Sequence, residues 1–197
     1  MPTITGLFDT YDDARRAVAD LEAAGVDSGD ISIISHDERA DAGNLAAEGA
    51  GTGAGLGAVA GGAGGLLAGL GLVAIPGVGP VVAAGWLVAT LSGAAAGAVA
   101  GGVAGGLIGA LTESGIPEGE AEFYAEGVRR GGTIVVARVN EAHVDAATVI
   151  LSQSNAVDPQ ARRRAFEGEG WTHFDEGAPL YTPEERQRLR ERYRNPL

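Results

Sequence analysis

The 197-residue chain has no cysteine and no lysine. Without cysteine, disulfide bonds, cysteine-ligated metal centres and thiol catalysis are excluded. Without lysine, a P-loop and Schiff-base chemistry are excluded as well, because both depend on a lysine amine. The three histidines, His36, His143 and His173, lie far apart in the sequence and lack the spacing of metal ligands. We therefore expect no catalytic constellation, no metal site and no cofactor.

Positive charge is scarce. The 14 basic residues, all of them arginine, face 26 acidic ones, and the net charge is −12. A nucleic-acid partner is not expected, since its phosphates require a basic surface. The stretch from Met1 to Arg16 has early acids and no apolar run of the kind that a signal peptide contains. This pattern predicts a protein of the cytoplasm or of the cytoplasmic face of the inner membrane.

Glycine, in contrast, is abundant, and residues 49–112 consist mostly of glycine and alanine without a single charged side chain. Glycines recur there at every fourth position in two rows. Residues four apart lie on one face of an α-helix, so each row predicts a smooth face where another backbone can pack closely. We interpret the segment as two helices whose packing interface consists of Gly53, Gly57, Gly61, Gly65, Gly69, Gly93, Gly97, Gly101, Gly105 and Gly109.

A short run rich in proline and glycine separates the two rows. Such runs mark turns, so the turn of the predicted helical hairpin is assigned to Pro76, Gly77, Gly79 and Pro80. Neither predicted helix has a polar face. A helix that is apolar all round must be buried in a core, in a partner or in lipid.

The segments on either side of the hairpin resemble two halves of one α/β domain. Residues 3–8 and 30–35 predict strands, and the helix between them begins at Thr10 with Asp13 three residues later, a helix-start signature. Beyond the hairpin, a helix that opens at Pro117 precedes a predicted strand at residues 133–139. The strands at 30–35 and 133–139 are expected to be adjacent in the centre of one sheet.

A helix at residues 142–152 and a short last strand at residues 156–158 complete this second half. The fold class predicted from this order is α+β: a ferredoxin-like split βαβ sandwich, interrupted by a long Gly/Ala-rich α-helical hairpin and followed by a C-terminal helical tail. The expected boundaries are 1–48 for the first half of the sandwich, 49–112 for the hairpin, 113–160 for the second half and 161–197 for the tail.

The tail is predicted to end in a charged helix. Thr182 and Glu185 form a capping box, and Leu189 and Tyr193 are the apolar anchors that follow. With so little apolar surface, this helix either docks through those two residues or frays. Residues 162–164, three consecutive arginines, are interpreted as solvated; a weaker alternative pairs them with a neighbouring subunit or with anionic headgroups.

Charged residues also follow Pro117. Glu118, Glu122 and Glu126 stand one turn apart and would permit a carboxylate metal site, but acids in the first turns of a helix more often complement its dipole. Arg129 and Arg130 are interpreted as partners of the C-terminus of the same helix.

Several short motifs resemble one known family in order and spacing. They are GLFD at 6–9, DISIIS at 30–35, IPGVGP at 75–80, GIPE at 115–118, YAEGVRRGG at 124–132 and AVD at 156–158. The chain resembles, over residues 3–160, the bacterial general stress protein family, also described as heat- or low-temperature-induced proteins, in which a glycine-rich middle interrupts an α/β domain. The resemblance implies bacterial origin and stress induction. It brings neither enzyme activity nor catalytic residues.

Three functional hypotheses follow. The leading one is a non-enzymatic stress protein that acts by self-assembly through the glycine rows, with its bulky helix faces in membrane lipid and residues 75–80 at the far tip of the hairpin. The alternative is a soluble homo-oligomer whose hairpins form a shared helical core. The third is a membrane-anchored ferredoxin-like domain that binds a ligand or acts as an enzyme.

Overall fold

The computed structural model describes residues 1–36, 71–88, 90–91 and 106–194. Within them, one sheet has the strand order β1-β5-β2-β4-β3, and all neighbouring strands are antiparallel. The edges of the sheet are therefore β1 and β3. The strands are β1 (Thr3–Phe8), β2 (Ile31–Ser35), β3 (Gly71–Ile75), β4 (Gly79–Ala84) and β5 (Thr133–Arg138).

Helices pack on both faces of this sheet. Along the chain they are α1 (Tyr11–Ala23), α2 (Gly106–Glu113), α3 (Glu118–Arg129), α4 (Val144–Gln153), α5 (Pro159–Gly168) and α6 (Pro183–Arg194). Side chains of α1 and α4 share one apolar cluster with Phe8 and Ile33. Side chains of α2, α3 and α5 share the other with Leu7 and Ile34. Because neighbouring residues of a strand point to opposite faces, the sheet lies between two helical layers.

The predicted centre of the sheet is confirmed. β2 and β5 pair from Ile31 opposite Ala137 to Ser35 opposite Thr133. A hydrogen bond of 2.8 Å joins the hydroxyl groups of Ser35 and Thr133 at one end of this buried pair. The predicted helix start is confirmed too, since the Thr10 side chain accepts a hydrogen bond from the Asp13 amide.

The ferredoxin-like arrangement is not confirmed, and the continuous helical hairpin needs correction. Residues 71–84, predicted as the end of a helix, a turn and the start of a second helix, form the antiparallel pair β3 and β4. The physical reason is local, because valine and isoleucine flank the Pro/Gly turn, and β-branched side chains favour a pleated strand. Pro80 lacks an N–H but lies beyond the residues of β4 that pair with β2, where a missing donor costs least.

The predicted last strand at residues 156–158 is not a strand. Its one backbone hydrogen bond to β1 runs from the Val157 amide to the Leu7 carbonyl, at 2.7 Å. The chain then leaves the sheet because the Asp158 side chain caps α5, accepting from the amides of Gln160 and Ala161. The fold is α+β, as predicted, but helices cover both faces and a β-hairpin joins the sheet beside β2.

Among the helices of the described residues, none is both long and apolar enough to cross a membrane.

Candidate functional site

The predicted packing glycines from Gly53 to Gly105 lie outside the described residues. Gly109 is the exception, because it lies in α2, where it is partly exposed between the buried Ile108 and Ala110. The predicted turn residues Pro76, Gly77, Gly79 and Pro80 do lie at a turn, but it connects β3 to β4. The helix-packing role of the glycine rows thus stays a prediction.

The turn at residues 76–78 is packed into the body of the protein. A side chain at Gly77, whose φ is +71°, would lie 2.7 Å from the Cα of Glu176 and 2.8 Å from the Phe174 ring. Val78 is buried. The expectation that this turn forms the far tip of a membrane-inserted hairpin is therefore wrong. The tail of the chain occupies the space in front of it.

The uncharged segment re-enters the described structure beside the same turn. At Gly106, the first residue of α2, an added Cβ would lie 3.3 Å from the Pro76 ring. The next turns of α2 bury Leu107 and Leu111 in the core. The second glycine row therefore leads into a helix that is fixed to the body of the protein.

A buried ionic cluster connects α3 to the tail. Both Arg129 and Arg130 donate to Oε1 of Glu126, at 3.1 and 2.6 Å, and all three residues are buried. Arg130 also contacts Glu169, and it donates to the Tyr193 hydroxyl at 2.6 Å. We call these five residues the tail clasp.

Aromatic rings complete the environment of the tail clasp. The Arg130 guanidinium lies 4.3 Å from the centre of the Phe166 ring. Arg129 lies 5.3 Å from that of Phe174 and donates to the Asp175 carbonyl at 3.1 Å. Cations over aromatic rings are attracted electrostatically, most strongly where water is excluded. The two arginines thus hold the loop that follows α5 as well as α6.

The charges of the tail clasp stabilise one another. Burial opposes the charge of Arg130, but its hydrogen bonds and ion pair with Glu126 raise the pKa of that guanidinium above its usual value. Partial burial acts against the charge of Glu169 as well, yet hydrogen bonds from Tyr193 and Arg130 lower the pKa of its carboxyl group. Burial raises the pKa of the Tyr193 hydroxyl to about 12. At neutral pH the tyrosine is therefore a neutral bridge between a cation and an anion.

Arg162, interpreted from sequence as solvated, is buried. It makes two parallel hydrogen bonds to Asp9, at 2.8 and 2.9 Å, and its guanidinium lies 4.3 Å from the centre of the Tyr193 ring. Paired contacts of this kind combine charge with a fixed geometry. Arg163 is half-buried and only Arg164 is fully exposed, so one arginine of the three fits the solvated interpretation.

The C-terminal helix docks rather than frays. The capping box is present, with the Thr182 amide donating to Glu185 at 2.8 Å and the Glu185 amide donating to Thr182 at 3.2 Å. Leu189 is buried. Tyr193 packs against the Phe166 ring, with 5.6 Å between the ring centres. Both predicted anchors are therefore in contact with the body of the protein.

Sequence reasoning missed the tail clasp, although a signal was present. Glu126 precedes Arg129 and Arg130 by three and four residues, the spacings at which side chains meet on one helix face. Arg130 nevertheless continues to Glu169 and Tyr193, which lie far away in the sequence. The local pairing could have been predicted, whereas its link to the tail could not.

A polar groove lies between the start of α1 and α6, with a volume of about 880 Å³. Residues 9–13 form an acidic wall, and Arg186, Arg190 and Arg194 form a basic wall on α6. Some of these charges already have partners, since Asp9 pairs with Arg162 and Asp13 pairs with Arg16. The groove is thus lined by charges of both signs.

His36 lies at the end of β2 and contributes to the lining of the polar groove. Its side chain is 7% exposed. Burial, with a further contribution from the positive charge of Arg186, lowers the pKa of His36 from 6.5 to about 4. The imidazole is therefore neutral in the folded protein at pH 7.

This shift predicts a specific loss of stability in acid. Between pH 6.5 and 4 the unfolded chain binds a proton at His36 that the folded protein does not, so the free energy of unfolding falls as the pH falls. His36→Gln should remove about 2 kcal/mol of the decrease between pH 7 and pH 5. Urea unfolding at both pH values measures the difference. His143→Gln, on an exposed side chain, is the control, and equal acid sensitivity of His36→Gln and the parent would contradict the assignment.

The described residues contain no group of three histidine, aspartate or glutamate side chains placed to hold a metal ion. Glu126, considered above with Glu118 and Glu122, instead accepts hydrogen bonds from two arginines through Oε1. The three carboxylates therefore do not act as a set.

The described chain is thus an α+β protein with a clasped tail, and a comparison with protein families defines it further. Residues 3–73 match the family model described as heat induced stress protein YflT domain. The match confirms the resemblance to bacterial general stress proteins and indicates a general stress role. Searches of curated proteins and of solved structures gave no match.

Proposed function

We propose that the protein is a non-enzymatic stress protein that acts by self-assembly, with copies of the chain packing through the glycine rows at residues 49–69 and 93–109. It would do so in the cytoplasm or on the cytoplasmic face of the inner membrane. One observation carries the proposal: the 64 residues from 49 to 112 contain no charged side chain, and glycine recurs at every fourth position in two rows, at 49–69 and 93–109.

The composition of the uncharged segment supports this proposal. Side chains such as Leu56, Leu66 and Val99 lie on the bulky sides of the predicted helices, and neither predicted helix has a polar face. A helix that is apolar all round requires an apolar environment. Another copy of the same segment supplies one without a second protein.

Membrane lipid is the second environment that such uncharged segments would suit. The absence of charge over residues 49–112 favours it. The packed turn at residues 76–78 requires a different geometry from a single spanning hairpin, because that turn contacts Phe174. Flotation of purified full-length protein with vesicles of anionic lipid tests this partner: co-flotation supports it, and protein that stays at the bottom as a discrete oligomer assigns the segments to self-assembly alone.

The self-assembly proposal predicts that substitutions in the glycine rows weaken assembly more than substitutions on the bulky helix faces. Gly61→Leu and Gly101→Leu should separate the packed backbones, at a cost of roughly 1–3 kcal/mol in assembly. Light scattering of the full-length protein at micromolar concentration should show a multimer for the parent chain and smaller species for both variants.

Leu66→Ile, on the opposite face of the first row, is the matched control, and it should cost less than about 1.5 kcal/mol. Loss of assembly in Leu66→Ile with none in the glycine variants would mean that the bulky faces form the interface. A parent chain that is monomeric, with a mass near 20 kDa, would refute self-assembly.

A further inference from the structure

Among the described strands, β1 lies at an edge of the sheet and pairs with β5 on one side only. Along a strand, successive residues direct their backbone N–H and C=O groups to alternate sides. The Pro2 carbonyl accepts a hydrogen bond from the Val139 amide at 2.9 Å, so even-numbered residues direct these groups towards β5. The groups of Thr3, Thr5 and Leu7 therefore point away from the sheet.

These outward groups are only partly used. The Leu7 carbonyl accepts from Val157, and the Thr5 carbonyl accepts from the Tyr124 hydroxyl at a long 3.3 Å. Within the described ranges, no hydrogen bond reaches the Thr5 amide or the Thr3 carbonyl. The Thr5 hydroxyl oxygen is also buried without a partner there. A short stretch of strand edge at residues 3–5 is thus available for pairing.

This edge forms the floor of a groove of about 480 Å³. One wall consists of the loop at residues 115–117 with Glu120 and Tyr124, and the other consists of Thr148, Leu151 and Ser152 on α4. The segment at residues 156–159 closes one end. Between these walls the groove has the form of a slot along the strand edge.

The charge of the slot indicates what would fit. Among the residues that the structure describes, its lining contains two carboxylates, Glu120 and Asp158, and no cationic side chain. The whole chain carries a net charge of −12. Opposite charge favours encounter and selects among partners, so an extended segment with basic residues complements this slot and an acidic one does not.

We propose that the outer edge of β1 is a docking site for an extended peptide segment of a partner protein, which pairs with residues 3–5 as an additional strand and places basic residues at Glu120 and Asp158. Peptides that add to a sheet edge gain affinity from main-chain hydrogen bonds and specificity from neighbouring side chains. A second copy of this chain fits less well, because its own β1 lies between the same walls and carries the same carboxylates.

The binding test uses the full-length protein and a defined probe, the peptide acetyl-Lys-Val-Thr-Val-Thr-Val-Lys-amide. At saturation we expect hydrogen exchange at Thr3 and Thr5 to slow by about tenfold or more. The same peptide with every central amide N-methylated cannot donate along the strand and should bind about tenfold or more weakly. Equal binding of both peptides would overturn the proposal.

A charge exchange provides the matched variants. Glu120→Lys should weaken binding of the lysine-flanked peptide by about two- to fivefold and strengthen binding of a glutamate-flanked version to a similar extent. Glu118→Lys changes the same charge on the same helix but outside the slot, and it should alter neither affinity. Thr148→Trp, on the exposed surface of α4, should fill the slot and abolish binding of both peptides.

Two further outcomes are decisive. Unchanged affinity in Thr148→Trp would place the peptide elsewhere and overturn the proposal. Amide hydrogen exchange at Thr3 and Thr5 that is slow without peptide and becomes fast on dilution would show that the edge pairs with a second copy of the chain. This result would overturn the proposal as well.

Discussion

Glu126→Gln is expected to lower the free energy of unfolding by about 3–5 kcal/mol, the usual result of removing one partner from a buried ion pair. Glu126 is completely buried, and its Oε1 accepts from both Arg129 and Arg130. With an amide at this position, the buried Arg129 would lose the carboxylate it pairs with, and Arg130 would keep Glu169. Urea unfolding followed by tryptophan fluorescence measures the change.

The same substitution should loosen the tail before the sheet. Arg129 and Arg130 hold Asp175, Glu169 and Tyr193, so limited proteolysis in the loop at residues 169–182 should accelerate in Glu126→Gln at a denaturant concentration that leaves the sheet folded. Glu122→Gln is the control, because it removes the same charge one turn earlier on α3 and should change stability by less than about 0.5 kcal/mol. A similar loss in both variants would mean that the cluster is not the source of the effect.

Gly85→Ala should lower the free energy of unfolding nearly as much as Glu126→Gln, for steric reasons. Gly85 follows β4 with φ at +95°, and an added Cβ would lie 2.1 Å from the Ile31 carbonyl oxygen and 2.6 Å from the Ser32 hydroxyl. The left-handed backbone costs a non-glycine residue about 1–2 kcal/mol, and the clash with β2 adds roughly 1–3 kcal/mol of overpacking. Thermal unfolding of the purified variant checks the sum.

Gly25→Ala is a control for the free-energy cost of the left-handed backbone conformation. Gly25 has φ at +93°, but an added Cβ there meets no atom within 4 Å, so Gly25→Ala should show the conformational cost alone. The difference between the two variants then measures the close approach to β2. Two hydrogen bonds depend on this approach, from the Leu87 amide to the Ser32 hydroxyl and from the Trp86 indole to the Asp30 carbonyl. If both variants lose the same stability, the contact with β2 contributes nothing.

Local patterns predicted local structure well. Strands β1, β2 and β5, the capped start of α1 and the capping box of α6 each depend on a few neighbouring residues, and all lie where the sequence places them. The adjacency of β2 and β5 followed from completing one sheet. Apart from this adjacency, each of these features is predicted by residues within about ten positions of it.

The errors arose where two patterns overlapped or where a partner was distant. Glycine rows at residues 49–69 and 93–109 flank residues 71–84, but the β-branched run around Pro76 decides the structure of residues 71–84. The partner of Arg162 is Asp9, at the other end of the chain, and no local spacing reveals it. The glycine rows themselves lie mostly outside the described residues, so their packing remains a prediction.

The position of β5 has a consequence for the order of folding. Phe8 pairs with Thr133, and Thr3 pairs with Arg138, so the strand that separates β1 from β2 is synthesised long after both of them. At 5–20 residues per second, translation from residue 8 to residue 133 takes about 6–25 s. During this time β1 and β2 have no partner between them, and contacts so distant in sequence slow folding further. The segment that matches the family model ends at residue 73, before β4 and β5, so it contains neither of the strands that pair with β2.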